Sequence, residues 1–275
     1  MTCKAIINYN NKNYGGGDAL DFHSKDNMYS YTNREADAAW KEKMKALIDI
    51  HSIHQAADIG CGGGIYSKAL ADIGIPSVSG VDYSKPILAG AMKHCSNYSN
   101  ISFQPGYADD TGLESDSADL ILSRALIHHI KDLGSVFAEA YRILKSGGCY
   151  IIQDRTLDDC LLQGSNEHIR GYFFEAFPKL KEFEKERRHS SDNIKLSLQQ
   201  AGFKKMEEHR LWEIRKTYKN KQALLDDIQS RAGRSILHEL SDTELAALMN
   251  YIDQSIGDKE EIVEKDRWTL FKAIK

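Results

Sequence analysis

Short apolar runs alternate along this chain with stretches in which apolar residues recur at three- and four-residue intervals. The runs at 56–59, 78–81, 101–103, 120–122 and 150–152 predict strands. Between them, the spacing over 66–73, 86–94 and 136–144 predicts helices, the last stopping at Gly147-Gly148. Repeated strand-helix alternation implies an α/β fold, a parallel sheet with helices on both faces.

The flanks read differently. Residues 1–31, rich in Asn, Gly, Asp and Tyr around Gly15-Gly16-Gly17, read as an arm. Thr32 with Glu35 then makes a capping box for a helix reaching residue 50, its apolar side carrying Ala36, Trp40, Met44 and Leu47. After Asp154 the alternation stops: 157–200 reads as helices bearing Tyr172, Phe173, Phe174 and Phe177, an insertion on the sheet. Residues 203–218 suit one or two strands, 221–231 and 242–256 suit helices, and 267–274 suits a last strand. The expected organisation is one domain over 1–275, comprising an arm and helix (1–50), a core (55–154), a helical lid insertion (157–200) and a carboxyl-terminal part (203–275).

Composition narrows the function classes. The 275 residues carry 36 basic and 40 acidic side chains, a net charge of −4, which gives no field for phosphate backbones or anionic lipid. No nucleic acid and no membrane partner is therefore expected, and a small-molecule partner fits better. Five scattered cysteines, Cys3, Cys61, Cys95, Cys149 and Cys160, show no metal or redox spacing and read as reduced thiols in a cytoplasm. No metal site is expected from the ten histidines either, which lack ligand spacing. Nor does any apolar run approach the roughly 18 residues of a membrane span. The oligomeric state is not legible.

The chemistry concentrates where the first strand meets the first helix, at Asp58-Ile59-Gly60-Cys61-Gly62-Gly63-Gly64. Glycines there allow a sharp turn and a ligand lying against the backbone, with helix amides aimed at it. A dinucleotide G-x-G-x-x-G would need glycine where Ile65 stands, although Gly63 and Gly64 leave the register open. Asp58, just ahead of the glycines, suits an ammonium group. Asp82, ending the second strand, suits the hydroxyls of a ribose, or alternatively caps the helix that Ser84 and Pro86 open.

At these residues the chain resembles the class I S-adenosylmethionine-dependent methyltransferases, particularly the small-molecule, ubiquinone-biosynthesis-like branch. The resemblance runs in family order from Asp58–Gly64 through Gly80-Val81-Asp82-Tyr83-Ser84, Gly106-Tyr107-Ala108-Asp109-Asp110 with Ser117–Leu120, and Leu126-Ile127-His128-His129, to Arg142–Gly148. It implies a doubly wound, mostly parallel Rossmann-like sheet with an antiparallel last strand, S-adenosylmethionine as cofactor and S-adenosylhomocysteine as product. It also implies that the methionine end lies over Gly60, Cys61, Gly62 and Gly64, with the ribose on Asp82. Tyr83 would lie beside the adenine and Ala108 and Asp109 at its edge. Tyr107 stands where the family often has an adenine-binding acid, which leaves Asp109's contact open. The backbone at Arg124 and Ala125 would face the sulfonium and amino group.

Several assignments keep two readings. His128 and His129 are candidates for a general base or simply hydrogen-bonded structure. Tyr172 and Phe173 are lid or core, and Tyr14, Tyr29 and Tyr31 would join them if the arm covers the acceptor. Arg170, Arg188 and Arg231 are either acceptor ligands or ordinary exposed arginines. The alternatives to methyl transfer are a nicotinamide-dependent oxidoreductase and a non-catalytic cofactor-binding relative.

Overall fold

The computed structural model describes residues 35–257 and 260–275. Within it, strands β1 (Gln55–Ile59), β2 (Ser77–Asp82), β3 (Ile101–Pro105), β4 (Ala118–Arg124), β5 (Leu144–Asp154), β6 (Lys204–Tyr218) and β7 (Ile262–Ile274) form one sheet. Their order is β3-β2-β1-β4-β5-β7-β6. β1 to β5 pair in parallel, and β7 runs antiparallel to both β5 and β6, as expected of the last strand. The order reverses beside β1, so a crevice opens at the carboxyl ends of β1 and β4.

The helices α1 (Ala38–Leu47), α2 (Ile65–Asp72), α3 (Lys85–His94) and α4 (Leu133–Ile143) follow the predicted spacing. Two boundaries differ. Helix α1 starts at Ala38 because the Asp37 carboxylate accepts from the Ala39 amide, so Glu35 lies outside the helix, and Thr32 falls outside the described residues. Helix α4 gives way directly to β5 at Leu144, which leaves Gly147 and Gly148 inside a strand rather than at a helix stop.

Beyond β5 come α5 (Leu157–Cys160), α6 (Arg170–Ala176), α7 (Lys179–Arg187), α8 (Ser191–Gln200), α9 (Lys221–Gln229) and α10 (Asp242–Ser255). They sort into two groups by what they bury. Ile194 and Leu198 of α8 join Phe137, Tyr150 and Phe203 in the core beneath the sheet. Helices α5, α6, α7, α9 and α10 instead share a second core with Tyr218 and Ile262. The helical cap is therefore split in sequence: α8 packs in the core with the sheet, while α9 and α10 share the second core with α5 to α7. β6 and β7, at 15 and 13 residues, are long enough to carry the sheet up into that cap.

Tyr172 and Phe173, which the sequence leaves as lid or core, lie in this second core. Phe173 is fully buried, because α6 packs against α7 and α10 through its aromatic face. Tyr14, Tyr29, Tyr31 and Cys3 lie outside the described residues. Cys61, Cys95, Cys149 and Cys160 are buried free thiols. No helix among the described residues is long and apolar enough to cross a membrane.

Candidate functional site

A cavity of about 360 Å³ opens at the carboxyl ends of β1, β2 and β4, beneath the helical cap. One end is backbone-rich: Gly60, Cys61, Gly62 and Gly63 after β1, Asp82 and Tyr83 after β2, and Gly106 to Ala108 after β3. The other is charged, with Arg155, Arg170, Arg215, Arg234 and Asp266 around Trp268. Arg124, Ala125, Leu126 and His129 lie between them in sequence, following β4.

Asp82 organises the first end. One carboxylate oxygen accepts from the Gly62 amide at 3.0 Å and the other from the Ser84 amide at 2.9 Å. Burial raises its pKa, against the opposing pull of those amides. The Ser84 amide lies at the start of α3, so the same side chain also fixes the entry to that helix. Gly62 has φ +51°, and a Cβ built there would point into open space, with no atom within 4 Å. That open backbone beside a fixed carboxylate suits a ligand that lies flat on the turn.

Gly64 serves a different purpose. It lies at φ +79° as the cap of α2, where a Cβ would meet Phe103 at 3.0 Å and Cys95 at 3.1 Å. It does not line the cavity, and neither do Asp58 and Asp109. Asp58 is buried under the turn, where it accepts from the Ser67 hydroxyl at 2.6 Å. Desolvation pushes its pKa up to about 6, against the Ser67 hydrogen bond. Tyr107, noted in the sequence only as a departure, faces Tyr83 with rings 6.4 Å apart and 14° from parallel. Its 52% exposure places a large aromatic at the cavity mouth.

The two histidines separate. His128 lies off the cavity, with Nδ1 2.8 and 2.9 Å from the two oxygens of Asp154. Desolvation depresses its pKa to about 3, so the ring is neutral near pH 7 and Nδ1–H donates to the carboxylate. Asp154 is held well below the ordinary carboxylate range: its burial, which raises the pKa, is outweighed by His128 and Arg188. His129 does line the cavity, its ring centroid 4.0 Å from that of His128. Burial in the cavity wall lowers its pKa, and Arg187 and Arg188 lower it further.

At the charged end an aromatic column sets the wall. The Arg124 guanidinium lies 4.1 Å from the Tyr66 ring and 4.2 Å from the Trp268 ring, and Arg155 lies 4.5 Å from Trp268. Arg124 donates to Glu213 at 2.6 Å, and Glu213 also accepts from Gln153, whose carbonyl oxygen accepts from the Trp40 indole. Ala125, at φ +52°, turns the chain out of β4 with its amide on the Gln153 carbonyl. Arg234 and Arg215 are tied to Glu264 and Asp227. Of the three arginines named from sequence only Arg170 lines the cavity, and it is not an exposed arginine: it is buried against Glu184. Arg188 is buried on Glu184 and Asp154, and Arg231 caps the carbonyls of Leu237 and Leu240. Arg155, Arg215, Arg234, Glu213 and Asp266 carried no motif that would have singled them out.

The comparisons with known proteins fall on the same segment. A family described as "Methyltransferase domain" matches residues 57–152. An arsenite methyltransferase of Aquipseudomonas alcaligenes is 36% identical over 124 residues, 40% of this chain and 36% of that protein. A ubiquinone biosynthesis O-methyltransferase of Methylococcus capsulatus is 34% identical over 100 residues, 34% of this chain and 40% of that protein. The chain thus spans about two fifths of the length of these curated relatives. A solved chain of Anabaena variabilis assigned as an antibiotic-biosynthesis methyltransferase shares the fold, with a TM-score of 0.67 at 20% identity, covering 86% of this chain and 98% of that one. The glycine turn and the strand ends around it thus lie within the segment, residues 57–152, that matches the methyltransferase-domain family.

Proposed function

We propose that the chain transfers a methyl group from S-adenosylmethionine to a small-molecule acceptor. The observation that carries this reading is the cavity that the open Gly62 backbone and the fixed Asp82 carboxylate line together with Arg155, Arg170, Arg215 and Arg234. In this reading donor and acceptor meet beside Ala125 and Leu126, which line the same cavity.

When bound, the cofactor supplies an electrophilic methyl on a sulfonium, which passes to a nucleophilic atom of the acceptor. The chain's own contribution is binding and alignment. In this reading Gly60, Cys61 and Gly62 present backbone to the methionine end, and Asp82 accepts from the ribose hydroxyls with the lone pairs its backbone partners leave. Tyr83 and Tyr107 flank the base, with Ala108 at its edge. Asp58 supports the turn from beneath instead of touching the ligand. The cap and Trp268 exclude water from the acceptor.

His129 faces the acceptor space as a neutral imidazole and is the residue able to take a proton from an acceptor that must lose one. His128 is a positioning residue, held by Asp154. The four free buried thiols support a reducing, cytoplasmic setting. The test is incubation with methyl-labelled cofactor and a cell extract: label in a small molecule supports the reading, and label confined to unreacted cofactor contradicts it.

A further inference from the structure

The charged end of the cavity is unevenly neutralised. Glu184 is shared by Arg170, Arg187 and Arg188, and Arg188 also pairs with Asp154. Arg155 has Asp266 as its one side-chain partner among the described residues, at 2.8 Å. In this ion-pair cluster four guanidiniums therefore share three carboxylates, and the histidine on Asp154 is neutral; of the four, Arg155 and Arg170 line the cavity. The Nε atoms of Arg155 and Arg170, like those of Arg124 and Arg234 in the same cavity wall, are buried without a hydrogen-bond partner, which is costly for a charged donor.

Arg155 stands out among the cavity arginines. Its pKa is pushed down to about 10, first by burial and then by Arg170 and Arg188 against the pull of Asp266, whereas those of Arg124, Arg170 and Arg234 are raised. It follows Asp154 at the end of β5, with its guanidinium stacked on Trp268, so its charge is held in place at the cavity wall.

We infer that the acceptor carries an anionic group, a carboxylate or a phosphate, which docks on Arg155 beside Arg170 and supplies the missing negative charge. This rests on the methyltransferase reading for calling the ligand an acceptor, while the anion site itself rests on the ion-pair cluster around Arg155 and Arg170 at the cavity wall. Trp268 supplies an apolar face for the rest of the molecule.

Thermal-shift and calorimetric titrations at constant ionic strength test it, with benzoate, inorganic phosphate, benzyl alcohol and benzylamine as probes, each with and without S-adenosylhomocysteine. At least one of the two anions should bind wild-type protein. The neutral and cationic analogues should not. Arg155→Gln should weaken that anion at least about tenfold, Arg155→Lys should recover part of the loss, and S-adenosylhomocysteine affinity should change less than about threefold. Benzoate favoured over phosphate identifies a carboxylate site, and the reverse a phosphate site. The inference is overturned if neither anion binds wild type, if benzyl alcohol or benzylamine binds as well as the better of the two anions, or if Arg155→Gln binds that anion unchanged. Should Arg155→Gln fail to fold, the wild-type contrast and Arg155→Lys still decide. Failure of S-adenosylhomocysteine to bind wild type would count against the methyl-transfer reading, leaving the anion titrations to be judged separately.

Discussion

The Asp82 carboxylate accepts from the Gly62 amide at 3.0 Å, tying the end of β2 to the glycine turn after β1 across 20 residues of sequence. The same side chain accepts from the Ser84 amide at the start of α3. One carboxylate therefore sets both the shape of the turn and a polar point on the cavity wall.

Asp82→Ala should weaken S-adenosylhomocysteine binding by at least about 1.5 kcal/mol, the scale of hydrogen bonds lost from a charged group. Calorimetry on folded variant reads this directly. Unchanged affinity would remove Asp82 from the site.

Two glycine variants should behave oppositely although both sit at positive φ. Gly62→Ala, whose new methyl meets no protein atom, should lose ligand affinity with a stability cost of about 1 kcal/mol from backbone strain. Gly64→Ala pushes against Phe103 and Cys95 and should cost more stability at near-normal affinity. Denaturant melts beside calorimetry separate the two.

Two buried groups give opposing pH dependence. Folding raises the Asp58 pKa from 3.8 to about 6, so between those values the folded state binds more protons than the unfolded, and stability falls as pH rises. Folding lowers the His128 pKa from 6.5 to about 3, so over that range the unfolded state binds more protons, and stability rises with pH. Asp58→Asn should therefore steepen the gain in Tm from pH 4 to 6.5, and His128→Asn should flatten it. Matching slopes in all three proteins would contradict both assignments.

The charged cap should show the asymmetry of buried ion pairs. Glu264 is 0% exposed and bonds Arg234 through both oxygens. Glu264→Ala leaves that guanidinium buried with less compensation and should cost about 3–5 kcal/mol, whereas Arg234→Met with Glu264→Met should recover at least about half. Urea denaturation measures both.

Phe173→Ala should cost about 3–5 kcal/mol while S-adenosylhomocysteine affinity stays unchanged, as befits a residue of the second core rather than of the cavity wall. A loss of affinity in the folded variant would return this aromatic to the lid.

How much of this was legible in the sequence follows from the range of each interaction. β1 to β5 and α2 to α4 are local patterns, apolar runs and helical spacing, and so was the glycine turn between Asp58 and Gly64. The division of the cap was not, because α8 differs from its neighbours only in that Ile194 and Leu198 face the sheet, a fact of packing and not of spacing. β6, with the sequence KKMEEHRLWEIRKTY, was legible over 203–218 as one or two strands and is a single edge strand, Lys204–Tyr218. The charged chamber was least legible: Arg124 meets Glu213 across 89 residues and Arg155 meets Asp266 across 111, and no periodicity connects such partners. Arginine read as surface by default became cavity wall because carboxylates on distant strands and helices arrive to pair it.

The most direct measurement is calorimetric titration of wild-type protein with S-adenosylhomocysteine, repeated with Asp82→Ala and with reduced nicotinamide cofactor in its place. The account predicts one site, with wild-type affinity on the order of micromolar, at least about tenfold weaker binding in Asp82→Ala, and no heat from the nicotinamide. Absence of S-adenosylhomocysteine binding at about millimolar concentration, with nicotinamide binding that Asp82→Ala abolishes, would contradict it.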